Sequence, residues 1–284
     1  MTLTATPSIT ATRLGANIGA VVEGVDFDDF TPEATEQLNR LILQHGVLIF
    51  EGVHATEEQQ EAFARCFGTP YVYPLTRHAN PEGDIWTEFI DTADSPPDAD
   101  VWHTDLTWVP DQPKFGILSA IDVPATGGNT MWADLYMAYD RLSPVMQKFC
   151  ESLTVVHQIG SNILDPVARN AGPAAAAFLR DNYPGIRHPL VRTHPETGRK
   201  VLLLAGGFMK HIEGMNQDES DWLINWLRNY INDPNFHFNW CWKQGDLGIW
   251  DERRTNHRGL SSHYPQYRCM RRCTVTGDGQ FSGI

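Results

Sequence analysis

Two short segments, far apart in the chain, constrain the fold before anything else does. They are Trp102-His103-Thr104-Asp105 and Trp250-Asp251-Glu252-Arg253-Arg254-Thr255-Asn256-His257. In an extended strand residues i and i+2 point to one face, so His103 and Asp105 are expected to project together while Thr104 turns away. A third side chain, His257, arriving from a distant strand would complete a two-histidine, one-carboxylate set around a single metal ion. Such a set leaves coordination positions open and is diagnostic of non-haem Fe(II) oxygenases. A His-x-Asp pair alone is a weak motif. The weight therefore falls on what surrounds His257.

Arginines at strand spacing follow it. The run Tyr267-Arg268-Cys269-Met270-Arg271-Arg272-Cys273-Thr274-Val275-Thr276 comes after a Tyr264-Pro265 break and reads as a strand. Arg268, Met270 and Arg272 then share one face, and Cys269, Arg271 and Cys273 the other. Two arginines four residues apart on a strand are roughly 13 Å apart at a rise of about 3.3 Å per residue. That spacing suits two separate anions in one pocket. A guanidinium binds carboxylate through two parallel hydrogen bonds and keeps its charge near pH 7, so a buried one needs an anion or an acid beside it. Arg271, on the opposite face, is expected to matter little.

With these residues in place the chain resembles the Fe(II)- and 2-oxoglutarate-dependent dioxygenases of the taurine dioxygenase (TauD/TfdA) type. The resemblance runs over about residues 14–278. It is carried by His103-Thr104-Asp105, by Pro124-Ala125-Thr126-Gly127-Gly128-Asn129-Thr130, by Pro189-Leu190-Val191-Arg192-Thr193-His194-Pro195, and by Ile249-Trp250-Asp251 leading to His257. The spacings from His257 to Arg268 and Arg272 also match. The resemblance implies that His103, Asp105 and His257 ligate Fe(II) and carry catalysis. It implies further that Arg268 pairs the distal carboxylate of 2-oxoglutarate with help from the Thr130 hydroxyl, and that Arg272 meets the anionic end of the primary substrate. O2 would be the other cosubstrate, with succinate and CO2 released. Hydroxylation next to oxygen or sulfur gives an unstable product that breaks apart, which is how such enzymes consume sulfonates, sulfate esters and phenoxyalkanoates.

The taurine enzyme is expected to carry histidine where this chain has Tyr73 and asparagine where it has Ala99. Tyr73 still donates one hydrogen bond, whereas the Ala99 side chain offers none. Tyr71, Tyr73, Trp86 and Phe208 are the candidate lining of a less polar, more aromatic pocket, with Tyr73 and Phe208 as substrate-binding residues beside Arg272. A bulkier organic anion than taurine is the expected substrate. Two other classes stand beside this reading: a same-fold oxidase or desaturase of natural-product biosynthesis, and a non-catalytic jelly-roll binding protein or zinc site.

Composition excludes several functions. A formal net charge of −13 argues against nucleic-acid binding, which draws on clustered Lys and Arg. No apolar stretch is long enough to span a bilayer, and the first residues lack the basic and apolar blocks of a signal peptide. Five cysteines without a CxxC pair fit reduced thiols in a cytoplasm. The expectation is a cytoplasmic enzyme, with homo-oligomerisation left open.

Periodicity places helices at 32–45, after the Thr56-x-x-Gln59 capping box, at 134–142, 144–153 and 218–231, and strands at 46–50, 115–121, 129–132 and 236–242. Helix 218–231 is expected to bury Trp222, Leu223, Trp226, Leu227 and Tyr230. A hairpin is expected at 191–204. Many short strands with helical insertions suit mixed β with a double-stranded β-helix (jelly-roll) core. Residues 1–284 are taken as one domain, with 160–185 as a lid or insertion.

Overall fold

Thr31 opens the first helix by accepting the Ala34 N–H on its Oγ1, with Pro32 at the first helical position. That helix, α1 (Pro32–His45), ends at Gly46, whose φ of 71° lies in the left-handed region that glycine adopts without strain. The computed structural model describes residues 8–79, 84–97 and 100–277. Around α1 the first part of the chain carries β1 (Thr10–Arg13), β2 (Ala20–Glu23), β3 (Val47–Phe50), α2 (Glu57–Arg65), α3 (Pro74–Ala79) and β4 (Thr87–Asp91). Next come β5 (Phe115–Asp122), β6 (Thr130–Asp134), α4 (Leu135–Asp140), α5 (Pro144–Glu151) and β7 (Thr154–His157). Then follow α6 (Ser161–Asn170), α7 (Pro173–Asn182), β8 (Ile186–Pro189), β9 (Val191–Thr193), β10 (Lys200–Leu202) and β11 (Met209–Ile212). The last part holds α8 (Gln217–Tyr230), β12 (His237–Trp240), β13 (Leu247–Asp251), β14 (Thr255–Gly259) and β15 (Arg268–Val275).

The principal sheet has seven strands in the order β1-β2-β3-β13-β5-β15-β4, antiparallel except for the parallel β2–β3 pair. Its strands alternate. Leu48, Phe50, Ile117, Ile249 and Cys273 face α1 and α2, where Leu38, Ile42 and Phe63 are fully buried. Val47, Ile49, Leu118, Trp250 and Met270 face the other way and pack on Trp132 and Phe238 of the three-stranded sheet β12-β6-β14. Each such large apolar side chain contributes about 1.5–3 kcal/mol on burial. The period-two alternation sets the register, because a one-residue slip would send every side chain to the wrong face. Smaller sheets β11-β7-β8 and β10-β9 complete the described residues, with β9–β10 forming the expected hairpin.

Helix α8 corrects one expectation. It buries Leu223, Ile224 and Leu227, but Trp222 is 65% exposed, since it falls beside the stripe that faces the core. Trp226 and Tyr230, one turn apart, are half-buried and stack on each other at 5.2 Å. Segment 160–185 is a pair of helices, α6 and α7, broken at Gly172 (φ 90°) before Pro173. The Phe178 ring of α7 stacks at 3.5 Å on His78 of α3. Among the described residues no helix is long and apolar enough to cross a membrane.

A buried polar knot forms beside β7, β8 and β9. His188 Nε2 lies 2.5 Å from the Thr107 carbonyl, its Nδ1 takes a hydrogen bond from Arg192, and Arg192 Nη1 donates to Gln112 Oε1 at 3.1 Å. Burial, with the Arg192 charge adding to it, pulls His188 down to about 3. His157, edge-on to it at 4.7 Å, is also held well below its ordinary value, first by burial. Unfolded histidines titrate near 6.5, so below that pH the unfolded chain takes up protons that the folded chain refuses. For His188 this stability is fully present above about pH 6.5 and declines toward pH 3, and His157 acts in the same direction. In urea melts a His188→Gln variant is expected to lose stability less steeply between about pH 6.5 and 4.5 than the parent. An unchanged slope would mean that His188 protonates freely in the folded protein.

Candidate metal centre and its arginines

The two distant segments meet through their backbones. His103 and His257 form an isolated antiparallel bridge, with His103 N donating to His257 O at 2.9 Å and His257 N to His103 O at 2.8 Å. Past Asp105 the chain turns, with Leu106 at φ 50°. Thr104 does point away, as expected. Its Oγ1 donates toward the carbonyls of Leu204 and Thr255 and accepts from Asn256 Nδ2 at 2.7 Å.

The ligand atoms of His103, Asp105 and His257 all lie within 4.8 Å of one another. His103 Nε2 is 3.6 Å from Asp105 Oδ1, and His257 Nε2 is 3.7 Å from Asp105 Oδ2. His103 Nδ1 sits 2.8 Å from the Val101 carbonyl, a contact that places the proton on Nδ1 and turns the Nε2 lone pair inward. Burial, then His103, keeps His257 well below its ordinary pKa, so its ring is neutral and able to bind a cation. Burial alone would raise the Asp105 carboxyl, but the Arg272 guanidinium beside it outweighs burial and holds the group ionised. Two imidazoles and one carboxylate brought this close are a fitting donor set for Fe(II).

The arginines divide by strand face as the alternation requires. Arg272 reaches the centre and donates to Asp105 Oδ2, with its guanidinium 5.9 Å from the Phe89 ring. Arg268 is buried farther along, its Nη1 3.5 Å from Asp91 Oδ2, which His263 Nε2 also approaches at 3.1 Å. Arg268 Nε is buried without a hydrogen-bond partner among the described residues. Gly128 makes room for it. A Cβ there would stand 3.0 Å from Arg268 Cδ and Nε, and its φ of 66° disfavours other residues as well. Thr130, two residues on, is buried and accepts the Trp242 indole N–H at 2.9 Å on its Oγ1.

Arg271 departs from its expected idleness. It is buried against α2, where its Nε donates to Gln60 Oε1 at 2.9 Å and its Nη2 to the Ala55 carbonyl at 2.8 Å. Trp86 goes with it, 5.4 Å from its guanidinium, and so lies on the helix side of the sheet rather than in the pocket. Tyr71 is tied up beside Arg77, 5.0 Å from its ring. Tyr73 lies close enough to Arg272 and Asp105 to feel both charges. Burial pushes its hydroxyl up to about 12. The Tyr73 ring meets Trp108 edge-on at 6.5 Å, and Trp108 meets Tyr183 at 5.2 Å. Phe208 is buried in a single 3-10 turn whose Gly206 abuts the Trp102 carbonyl so closely that a Cβ would overlap it. Ala99 lies outside the described residues.

Sequence reasoning missed Glu252. Its carboxylate is fully buried, accepts the Asp105 N–H on Oε2 at 3.1 Å, and accepts the Trp250 indole N–H on Oε1 at 2.7 Å. Burial, then the Asp105 charge, pushes this carboxyl well above the usual range. Its neighbours in the run are structural. Asp251 bonds Arg253 and His194, and Arg254 bonds Asp134 at 3.2 Å. The Trp250 ring lies 4.9 Å from that of His257 and packs beside it.

The model of the taurine catabolism dioxygenase TauD, TfdA family matches residues 10–274. The chain belongs to this family. Within it the chain is 35% identical to an alkylsulfatase of Acinetobacter baylyi over 94% of its own length and 84% of that protein. It is 32% identical to an (S)-phenoxypropionate/alpha-ketoglutarate-dioxygenase of Sphingobium herbicidovorans over 96% of both chains. A solved structure, AAD-2 in complex with Mn(II) and N-oxalylglycine, superposes with a TM-score of 0.80 at 28% identity, covering 98% of this chain and 100% of that one. The TauD/TfdA frame therefore spans both histidine segments and the arginine strand together.

Proposed function

We propose that this TauD/TfdA member is an Fe(II)- and 2-oxoglutarate-dependent dioxygenase that hydroxylates a small organic anion of the sulfonate, sulfate ester or phenoxyalkanoate type, releasing succinate and CO2. The observation that carries this reading is the cluster of His103, Asp105 and His257 with two arginines on one strand face beside it, Arg268 buried and Arg272 half-buried. His103, Asp105 and His257 would hold the iron. Arg268, with Thr130 nearby, would take the distal carboxylate of 2-oxoglutarate, exchanging part of its contact with Asp91 for a bidentate one. When bound, iron with 2-oxoglutarate and O2 supplies the oxidising chemistry that converts a substrate C–H to C–OH.

The protein's own work is to place and to exclude. Arg272, Tyr73 and Phe208 are assigned to the substrate. Tyr73 keeps its proton at neutral pH, so it donates to an anion rather than repelling it. Arg272 must share its guanidinium between Asp105 and the substrate's anionic group. We take the core to be a double-stranded β-helix within one TauD/TfdA-like domain, a reading supported by the packing of the seven-stranded sheet on β12-β6-β14. We take 160–185 as a lid, supported by the rings of Phe178, Tyr183, Trp108 and Tyr73 that run from α7 toward Arg272.

The test is succinate formation with Fe(II), 2-oxoglutarate and O2 across sulfonates, alkyl sulfates, phenoxyalkanoates and amino acids. Longer alkyl sulfates and phenoxyalkanoates are expected to outpace taurine, and Arg272→Ala is expected to depress their turnover while leaving 2-oxoglutarate binding in place. Succinate that no offered anion stimulates would refute the assignment of substrate class.

A further inference from the structure

The two histidine ligands are not served alike. Nδ1 of His103 has the Val101 carbonyl at 2.8 Å, whereas Nδ1 of His257 is buried and has no hydrogen-bond partner among the described residues. A neutral imidazole that gives Nε2 to a metal carries its proton on Nδ1, and a buried N–H without an acceptor is costly. A candidate acceptor is Glu252 Oε2, 3.9 Å away. That gap is about 1 Å longer than a hydrogen bond. Glu252 is pinned from two sides, by the Asp105 N–H at 3.1 Å and the Trp250 indole N–H at 2.7 Å. A carboxyl oxygen has two lone pairs, so one that already takes a donor still has room for a second.

We infer that Glu252 is a positioning residue for the metal: in the iron-loaded enzyme its Oε2 accepts the Nδ1–H of His257 while still holding the Asp105 backbone. This rests on the reading of His103, Asp105 and His257 as the iron ligands. One side chain then steadies the segments of two of the three ligands. It fixes the His257 tautomer, aims Nε2 at the ion and makes that nitrogen a better donor, as acceptors behind ligating histidines do. Glu252 touches neither substrate nor cosubstrate in this arrangement.

The experiment titrates metal-free protein with Co(II), without air or 2-oxoglutarate, and compares the parent with Glu252→Gln. The amide keeps the size but leaves one acceptor oxygen for three N–H groups: those of Asp105, Trp250 and His257. Co(II) affinity is expected to fall by roughly 10- to 100-fold, with the near-ultraviolet circular dichroism of the metal-free protein unchanged. The same affinity in both proteins overturns the inference and leaves the triad standing, whereas a parent that binds no Co(II) removes the triad itself. If Glu252→Gln does not fold, the parent loaded with Zn(II) and labelled with 15N-histidine decides. A slowly exchanging, downfield proton on His257 Nδ1 supports the inference, and a proton exchanging at the rate of solvent-exposed imidazole overturns it.

Discussion

Asp105→Ala is expected to abolish both iron binding at micromolar metal and substrate-dependent succinate formation. The carboxylate is the sole anionic ligand of the cluster and lies within 3.7 Å of both imidazoles. Its removal also takes away the partner of the Arg272 guanidinium, so a cation would enter against a positive charge that Asp105 no longer offsets. The loss of affinity should exceed the roughly 10- to 100-fold that follows removal of an outer partner. Anaerobic iron titration and single-turnover succinate assays measure the two effects separately. Retention of full activity in Asp105→Ala would sink the triad assignment. His103→Ala and His257→Ala are expected to behave alike, because each removes one of three ligands on a common ion.

Arg268→Gln is expected to raise the 2-oxoglutarate requirement by hundreds-fold or more. Deleting one partner of a buried charge pair costs about 3–5 kcal/mol, and Arg268 is the buried arginine toward which Gly128 clears space. Arg271→Gln separates binding from folding. Its guanidinium is spent on Gln60 and the Ala55 carbonyl, so the change should lower thermal stability and leave the cosubstrate requirement near that of the parent. Equal effects of the two substitutions on 2-oxoglutarate binding would mean that the faces of β15 are assigned wrongly. The comparison is sharp because the two residues share a strand and differ only in the side of the sheet they face.

Much of this arrangement can be read from local rules. Caps and turn glycine delimit α1, the capping box opens α2 with both of its hydrogen bonds present, and alternation sorts the arginines of β15. These signals depend on neighbours within a few residues, so one sequence carries them. The misreadings involve partners far away. Arg271 and Glu252 look like solvated charges because charged runs usually are, and their acceptors or donors, at Gln60 and Asp105, lie at distant points of the chain. Trp86 was assigned to the pocket on residue type, but its own side of the sheet decided otherwise. The i, i+2 rule, by contrast, named the right pair, since the ligand atoms of His103 and Asp105 meet while Thr104 turns away.

The bridge between His103 and His257 bears on the order of events during synthesis. Its two residues are more than half the chain apart, and closing so long a loop has to precede any reward from the contact. A ribosome-bound chain that has emerged only as far as β12 has one histidine and one carboxylate of the set and no bridge to hold them. The full three-residue set therefore cannot exist until β14 has been made and paired with β6. A chain cut short before His257 is expected to lack it, however well its first strands pair.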